Sequence, residues 1–287
     1  MNLPAVAPSE APIGVFDSGV GGLSVLRHIR AQLPHEHLLY FADSGFAPYG
    51  DKPEQVVVER SLAVAEFLVA RGAKAIVVAC NTATVAAIKV LRAHYPDMPI
   101  VGVEPGLKPA AAASRNGKVG VMATAGTLAG EKFLSLREQI SETSKAQFLL
   151  QPCVGLVEQI ELAELGSDET RAMLTRFIAP LLDAGADTLV LGCTHYPFVQ
   201  GVIESIIADI NEREVVLVDT GDAVARQLGR LLGAAQLDRK SGDAASLEGF
   251  TSASATALTA AFSTLLGLAP PVQEAQIPGK TAIYTLR

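Results

Sequence analysis

Residues 75–82 read Ala-Ile-Val-Val-Ala-Cys-Asn-Thr, and residues 188–195 read Thr-Leu-Val-Leu-Gly-Cys-Thr-His. Each is a short apolar run that ends in a small residue, a cysteine and polar side chains. Runs of this length and character are strands covered on both faces, as in parallel sheets. A second echo lies upstream of each. Ile13-Gly-Val-Phe-Asp17-Ser-Gly19 and Val119-Gly-Val-Met-Ala-Thr124-Ala are both hydrophobic strands that run into small-residue turns. Strand-to-helix turns look alike in many α/β proteins, but cysteines at matching places point to two similar α/β halves.

The pattern extends along the chain. Further strands are expected at Leu38–Ala42, Ile100–Val103, Phe148–Leu150 and Val215–Val218, beside Ile13–Phe16, Ala75–Ala79, Val119–Ala123 and Thr188–Leu191. Helical periodicity fills the intervals. It is clearest over Glu54–Arg71, which stops at Gly72, and over Asp168–Ala184, with Ser167 as N-cap and Gly185 at its end. The alternation is that of an α/β protein with mainly parallel sheets.

Composition narrows the class. The 287 residues allow one large domain or two small ones, and 25 Gly with 16 Pro exclude collagen-like and low-complexity chains. Three cysteines, an odd number, argue against a disulfide framework, so each Cys is packing or chemistry. A net charge of −7 without any Lys/Arg run speaks against nucleic-acid binding. Met1–Pro12 has neither a basic nor an apolar segment and reads as a short disordered leader, not a signal peptide. No apolar stretch reaches the roughly 18 residues of a membrane span, so a cytoplasmic address is expected.

In open parallel sheets, ligands bind beyond the carboxyl ends of the strands. Asp17-Ser18-Gly19, Cys80-Asn81-Thr82 and Cys193-Thr194-His195 all fall there. Gly19-Val-Gly21-Gly22 fails as a nucleotide loop, because Ser24 and Val20 stand where a dinucleotide fingerprint needs Gly and a P-loop needs Lys. A carboxylate such as Asp17 suits an ammonium group instead, or caps the following helix. Redox Cys-x-x-Cys spacing is absent, since Ala83 and Tyr196 follow the cysteines by three. Phosphatase spacing fails too, at Ala86 and Val199. What remains is Cys as nucleophile or as acid and base, and two cysteines on opposite faces of a substrate are what proton exchange at a stereocentre requires. A free thiol with pKa about 8.5 is mostly protonated at neutral pH, so Asp17 near Cys80 and His195 near Cys193 are the candidate helpers. His35 and His37 read as solvated loop residues, His28 and His94 fall in helical patterns, and Cys153 reads as packing. No zinc-type spacing of Cys and His exists.

These residues resemble the bacterial glutamate racemases of the cofactor-independent aspartate/glutamate racemase superfamily. The matching motifs are Phe16-Asp-Ser-Gly-Val-Gly-Gly-Leu-Ser-Val25, Pro48-Tyr-Gly50, Cys80-Asn-Thr-Ala-Thr84, Ala123-Thr124 with Thr127, and Gly192-Cys-Thr-His-Tyr-Pro197. They stand in family order over about residues 12 to 235, with weaker similarity over Phe250 to Gly267. Departures lie at Phe46-Ala47 and Gly102-Val-Glu-Pro-Gly106.

The resemblance implies that Cys80 and Cys193 are the two acid/base residues, assisted by Asp17, His195 and Glu161, with Glu158 as the neighbouring alternative for that acid. It implies substrate contacts from Asp17, Ser18, Tyr49, Gly50, Asn81, Thr82, Thr124, Thr127, Thr194 and His195. It further implies two α/β domains facing each other across the site, one of residues 1–98 and 212–287, the other of residues 99–211 inserted within it. The expected reaction interconverts L- and D-glutamate without cofactor or metal, supplies D-glutamate for peptidoglycan, and belongs to a homodimer. Two alternatives stay open at this level: a racemase for aspartate or another acidic amino acid, and a non-catalytic amino-acid-binding regulator on the same scaffold.

Overall fold

The computed structural model describes residues 8–162, 164–210, 213–242 and 244–277. Among these, ten strands form two sheets: β1 (Ile13–Asp17), β2 (Leu38–Ala42), β3 (Ala75–Val78), β4 (Ile100–Gly102), β5 (Lys118–Ala123), β6 (Gln147–Pro152), β7 (Thr188–Leu191), β8 (Val216–Val218), β9 (Leu247–Thr251) and β10 (Val272–Glu274). The first sheet runs β10-β9-β2-β1-β3-β4 and the second β6-β5-β7-β8. Every pairing between them is parallel.

The echo in the sequence is an echo in winding. In each half the chain lays down a central strand, pairs the next on one side and crosses to the other side for the third and fourth, as β2-β1-β3-β4 and as β6-β5-β7-β8. Asp17 and Thr124 therefore end or follow the central strands, and Cys80 and Cys193 follow the strands beside them. The place where the strand order reverses is where a parallel sheet opens a crevice at its carboxyl edge.

Alternation along the strands sorts side chains to two faces. In the first sheet, Ile13, Val15, Tyr40, Val77 and Val101 pack under helices Leu23–Gln32, Gly221–Ala234 and Ala255–Leu266. Phe16, Phe41, Ile76, Val78 and Ile100 face helices Glu54–Ala70 and Asn81–His94. In the second sheet, Val119, Val121 and Val190 meet Leu107–Ala113 and Glu131–Ser144, while Met122, Leu189 and Leu191 meet Asp168–Asp183 and Gln200–Ile210. The helix ends follow local rules. Gly72 and Gly185 take φ of 84° and 88°, a left-handed conformation that stops a helix at little cost for glycine. Ser167 Oγ accepts from the Thr170 N–H, capping the next helix.

Three expectations change. By strand pairing, β4 belongs to the first sheet and β8 to the second, so the boundary expected at 98/99 falls one strand too early. We place the outward crossing after Gly102 and the return after Val218; the boundary expected at 211/212 lies outside the described residues. The cause is that the terminal strand of each half is the one whose chain neighbours leave for the other half. Second, β9 and β10 were not expected. Leu247-Glu-Gly-Phe-Thr carries a charge and a glycine, and becomes a strand because the outer side of β2 needs partners for its backbone groups, in register from Leu38↔Leu247 to Ala42↔Thr251. Third, the expected disordered leader does not extend through Glu10. Pro8–Glu10 is a 3-10 turn, tied down by Lys74 Nζ on the Ser9 carbonyl at 2.5 Å and Arg239 Nε on Glu10 Oε2 at 2.7 Å; residues 1–7 lie outside the described ones. Among the described residues no helix is long and apolar enough to cross a membrane.

Gly120 shows how closely the second core is packed. A Cβ there would lie 2.5 Å from Leu189 Cδ2 and 2.9 Å from Leu181 Cδ1. Gly120→Ala should therefore cost about 1–3 kcal/mol of unfolding free energy through overpacking. Urea denaturation checks it, and an unchanged midpoint would refute the packing argument.

Candidate active site

Cys80 leaves β3 and becomes the N-cap of helix Asn81–His94, its sulfur accepting from the Ala83 N–H at 3.5 Å. A sulfur here stands where a hydroxyl or carboxylate usually caps, close to the positive end of the helix. Thr124 does the corresponding job after β5, its Oγ1 accepting from the Thr127 N–H at 3.2 Å. Cys193 follows β7 and leads into the 3-10 turn Tyr196–Val199. Both cysteines line one crevice, together with Asp17, Ser18, Tyr49, Gly50, Asn81, Thr82, Thr124, Thr194 and His195. The crevice is closed down, with room for about one water.

Polar contacts cross between the halves. Glu161 Oε1 accepts from the Val20 N–H at 2.9 Å and meets His195 Nε2 at 2.7 Å. His195 Nδ1 faces Cys193 Sγ at 3.6 Å. Thr194 Oγ1 donates to Asp17 Oδ2 at 3.1 Å, and Ser24 Oγ donates to the Thr194 carbonyl at 2.8 Å. Asp17 Oδ1 accepts from the Ser18 N–H at 2.6 Å, and Cys80 Sγ lies 3.8 Å from Ser18 Oγ. Across the crevice, Thr82 Oγ1 is 3.0 Å from Thr124 Oγ1 and 3.2 Å from Thr127 Oγ1. Two glycines permit the approach: a Cβ at Gly19 would strike the Glu161 carboxylate, and one at Gly21 the His195 ring.

The two sulfurs sit in different electrostatic settings. Burial first, and the Asp17 charge second, push the Cys80 thiol well above its ordinary pKa. Burial also raises Asp17, against the pull of His195. Burial works against a His195 cation, yet hydrogen bonds to Cys193 and Glu161 outweigh it, so the ring lies well above its ordinary value. Burial likewise works to raise Glu161, but the His195 bond and charge and the Val20 N–H hold it below the usual carboxylate range. Because that carboxylate can only accept, His195 Nε2 carries a hydrogen, and Nδ1 is the nitrogen that faces the sulfur.

Most of the expected residues meet here. Between the two acids considered, Glu161 bonds to His195, whereas Glu158 lies with it in a separate shallow recess beside Ser44 and Pro48. Thr127 is fully buried behind Thr82 and Thr124 and does not line the crevice. Cys153 is buried among Leu156, Ile160 and Tyr196, and burial pushes its thiol up to about 12, as expected of packing. Ser24, Gly21 and Val157 were not singled out by sequence. Ser24 and Gly21 lie inside the quoted Phe16–Val25 stretch, so their signal was position in a motif, while Val157 carries none. Asn81 Nδ2 is buried without a hydrogen-bond partner, on a residue that lines the crevice. Among the described residues no group of three or more His, Cys, Asp or Glu side chains is placed to hold a metal ion.

Replacing Glu161 with Gln removes the charge that favours the His195 cation, so NMR titration of that ring should show its pKa fall; an unmoved ring would exclude Glu161 as a cause. Linkage gives a second readout. A raised folded pKa adds stability that is complete below the unfolded value of about 6.5 and fades as pH rises toward the folded value. Wild-type stability should therefore decline above that pH more steeply than that of Glu161→Gln.

Residues 13–228 match the family model for Asp/Glu/hydantoin racemases. The chain is 56% identical over 229 residues to a glutamate racemase of Ectopseudomonas mendocina, covering 80% of this chain and 85% of that one. It is 50% identical over 278 residues to a glutamate racemase of Ralstonia nicotianae, covering 97% of each. A solved glutamate racemase isoform from Bacillus anthracis superposes with a TM-score of 0.84 at 28% identity, covering 94% of this chain and 99% of that one. Two parallel sheets of matching winding, two cysteines at equivalent strand ends and these similarities agree: the chain belongs to the Asp/Glu/hydantoin racemase family and is an amino-acid racemase, an isomerase.

Proposed function

We propose that the protein interconverts L- and D-glutamate by two-base proton transfer at the α-carbon, without cofactor or metal, and so supplies D-glutamate for peptidoglycan. The observation that carries the reading is that each half contributes one cysteine, from equivalent strand ends, to a single closed crevice. For one enantiomer the Cys193 thiolate takes the α-proton while the Cys80 thiol gives its proton to the opposite face. The C–H bond broken on one side is replaced on the other, and the protein leaves the turnover with its proton on the other sulfur. For the other enantiomer the direction reverses. The electrostatic asymmetry supports this assignment: burial and Asp17 hold Cys80 as a thiol, and His195, braced by Glu161, stands against Cys193.

Net charge works against a substrate with two carboxylates, so it has to be held by local groups. The Asn81 amide without a partner, the hydroxyls of Ser18, Thr82, Thr124 and Thr194 and the main chain of Tyr49 and Gly50 are suited to this, and Asp17 to the ammonium. The same donors meet the negative charge that develops on the substrate as the α-proton leaves. A closed crevice with room for about one water admits an amino acid only when the halves part, which also implies that chemistry proceeds away from bulk solvent. The glutamate assignment takes support from the curated relatives, named as glutamate racemases. The cytoplasmic address and the homodimer belong to this reading.

Purified protein in deuterated water should place deuterium at the α-carbon of glutamate and bring the optical signal of either enantiomer to zero without added cofactor. Persistence of that signal with folded protein would sink the proposal. Cys80→Ala and Cys193→Ala should each lower racemisation by at least about a hundredfold, the scale of a lost general acid or base. Aspartate, one methylene shorter, should show kcat/KM at least about a hundredfold below glutamate, because it leaves buried donors unpaired; comparable values would move the substrate assignment.

A further inference from the structure

Behind the Tyr49 side of the crevice lies a buried ion pair. Asp43 is fully buried and the Arg60 side chain is 4% exposed. Arg60 Nε donates to Asp43 Oδ2 at 2.9 Å and Nη2 to Oδ1 at 2.8 Å, the two-pronged geometry that makes such pairs strong and directional. Two further donors complete the carboxylate: the Tyr49 hydroxyl on Oδ2 at 2.5 Å and Ser252 Oγ on Oδ1 at 2.7 Å. Arg60 is itself held, with Nη1 on the Ile277 carbonyl at 3.2 Å and its guanidinium 3.7 Å above the Phe46 ring. Burial, then the Asp43 charge, keeps the Tyr49 hydroxyl well above its ordinary pKa, so it stays a donor.

The pair gathers four separate segments: the loop after β2, helix Glu54–Ala70, the end of β9 and the chain at Ile277. Tyr49 lines the crevice with its hydroxyl already engaged by Asp43. Gly50 beside it stands close to the other half. A Cβ on Gly50 would come within 2.8 Å of Thr124 Cβ, and one on Gly126 within 2.8 Å of the Gly50 carbonyl. A wall with so little clearance transmits small displacements directly to whatever it holds.

We propose that Asp43 and Arg60 are positioning residues for substrate binding: the buried pair grips the Tyr49 hydroxyl and thereby sets where Tyr49 and Gly50 stand opposite Thr124. The inference rests on the glutamate racemase reading. Neither side chain lines the crevice; they act through Tyr49.

The test is steady-state kinetics on purified variants shown to be folded by circular dichroism, after α-proton exchange has been measured on the wild type. Tyr49→Phe removes one oxygen and keeps the ring; Arg60→Met removes the clamp. Each should raise the KM for glutamate about tenfold, the ratio that 1.4 kcal/mol corresponds to, with kcat changed less than about threefold. Arg60→Lys, which keeps the charge, should recover part of the loss. The two changes together should be no worse than Arg60→Met alone, because both act through one hydroxyl. A merely structural pair would lower the melting temperature and leave KM alone. Should Arg60→Met fail to fold, Tyr49→Phe carries the test by itself, and a folded Tyr49→Phe with KM within about twofold of wild type overturns the proposal. A wild type without exchange would instead overturn the glutamate reading, so the two failures are distinguishable.

Discussion

Glu161 Oε1 takes one hydrogen bond from the Val20 N–H of the first half and one from His195 of the second. That single oxygen ties the turn after β1 to the turn after β7, and much of the site follows from it. It orients the imidazole so that the other nitrogen meets Cys193, and it stabilises the charged ring. It also explains two glycines. Gly19 and Gly21 lack side chains because Glu161 and His195 occupy the space a Cβ would need. The turn that at first suggests a phosphate loop is glycine-rich so that a carboxylate and an imidazole from the other half can approach it.

The remaining contacts between the halves follow the same logic of small or short side chains at strand ends. Asp17 with Thr194, Ser24 with the Thr194 carbonyl, and Thr82 with Thr124 and Thr127 are all short polar pairs. Hydroxyls satisfy buried acceptors without adding charge, and few of these contacts involve large apolar packing. Apolar packing lies mainly on both faces of each sheet, and crosses between the halves where Val85 of the first meets the second core and Phe198 of the second meets the first.

The two cysteines, both buried, stand beside different charged groups. A thiol in a helix N-cap is ordinarily favoured as thiolate by the backbone N–H groups. At Cys80 desolvation and the neighbouring Asp17 charge outweigh that one hydrogen bond. Near Cys193 the charged partner is cationic. Two near-identical turns, repeated by the fold, thus become unlike in chemistry because one faces a carboxylate and the other an imidazole. The third cysteine, Cys153, has neither, and packs behind the second sheet.

The sequence by itself determined the class and the repeat. Short runs rich in apolar and β-branched residues, such as Ala75–Val78 and Thr188–Leu191, specify strands buried on both faces, and local glycine and serine signals specify where helices start and stop. Cysteines and polar residues at matching strand ends pointed to where the crevice lies, and motif resemblance pointed to Asp17, His195 and Glu161, which the structure sets beside one another near the cysteines. Only the tertiary structure decided what depends on distant partners. Leu247–Thr251 is a strand because β2 has an open side, not because of its own residues. β4 belongs to the first sheet and β8 to the second because pairing, a long-range property, assigns them. Glu161 rather than Glu158 reaches His195 because of how helix Leu156–Glu161 is set against the turn after β7. Asp43, Arg60 and Ser252 lie far apart along the chain, and a buried carboxylate needs donors from wherever the fold can bring them. Local sequence encodes backbone preference and periodicity; electrostatic partnership is set by packing, where the chain returns to itself.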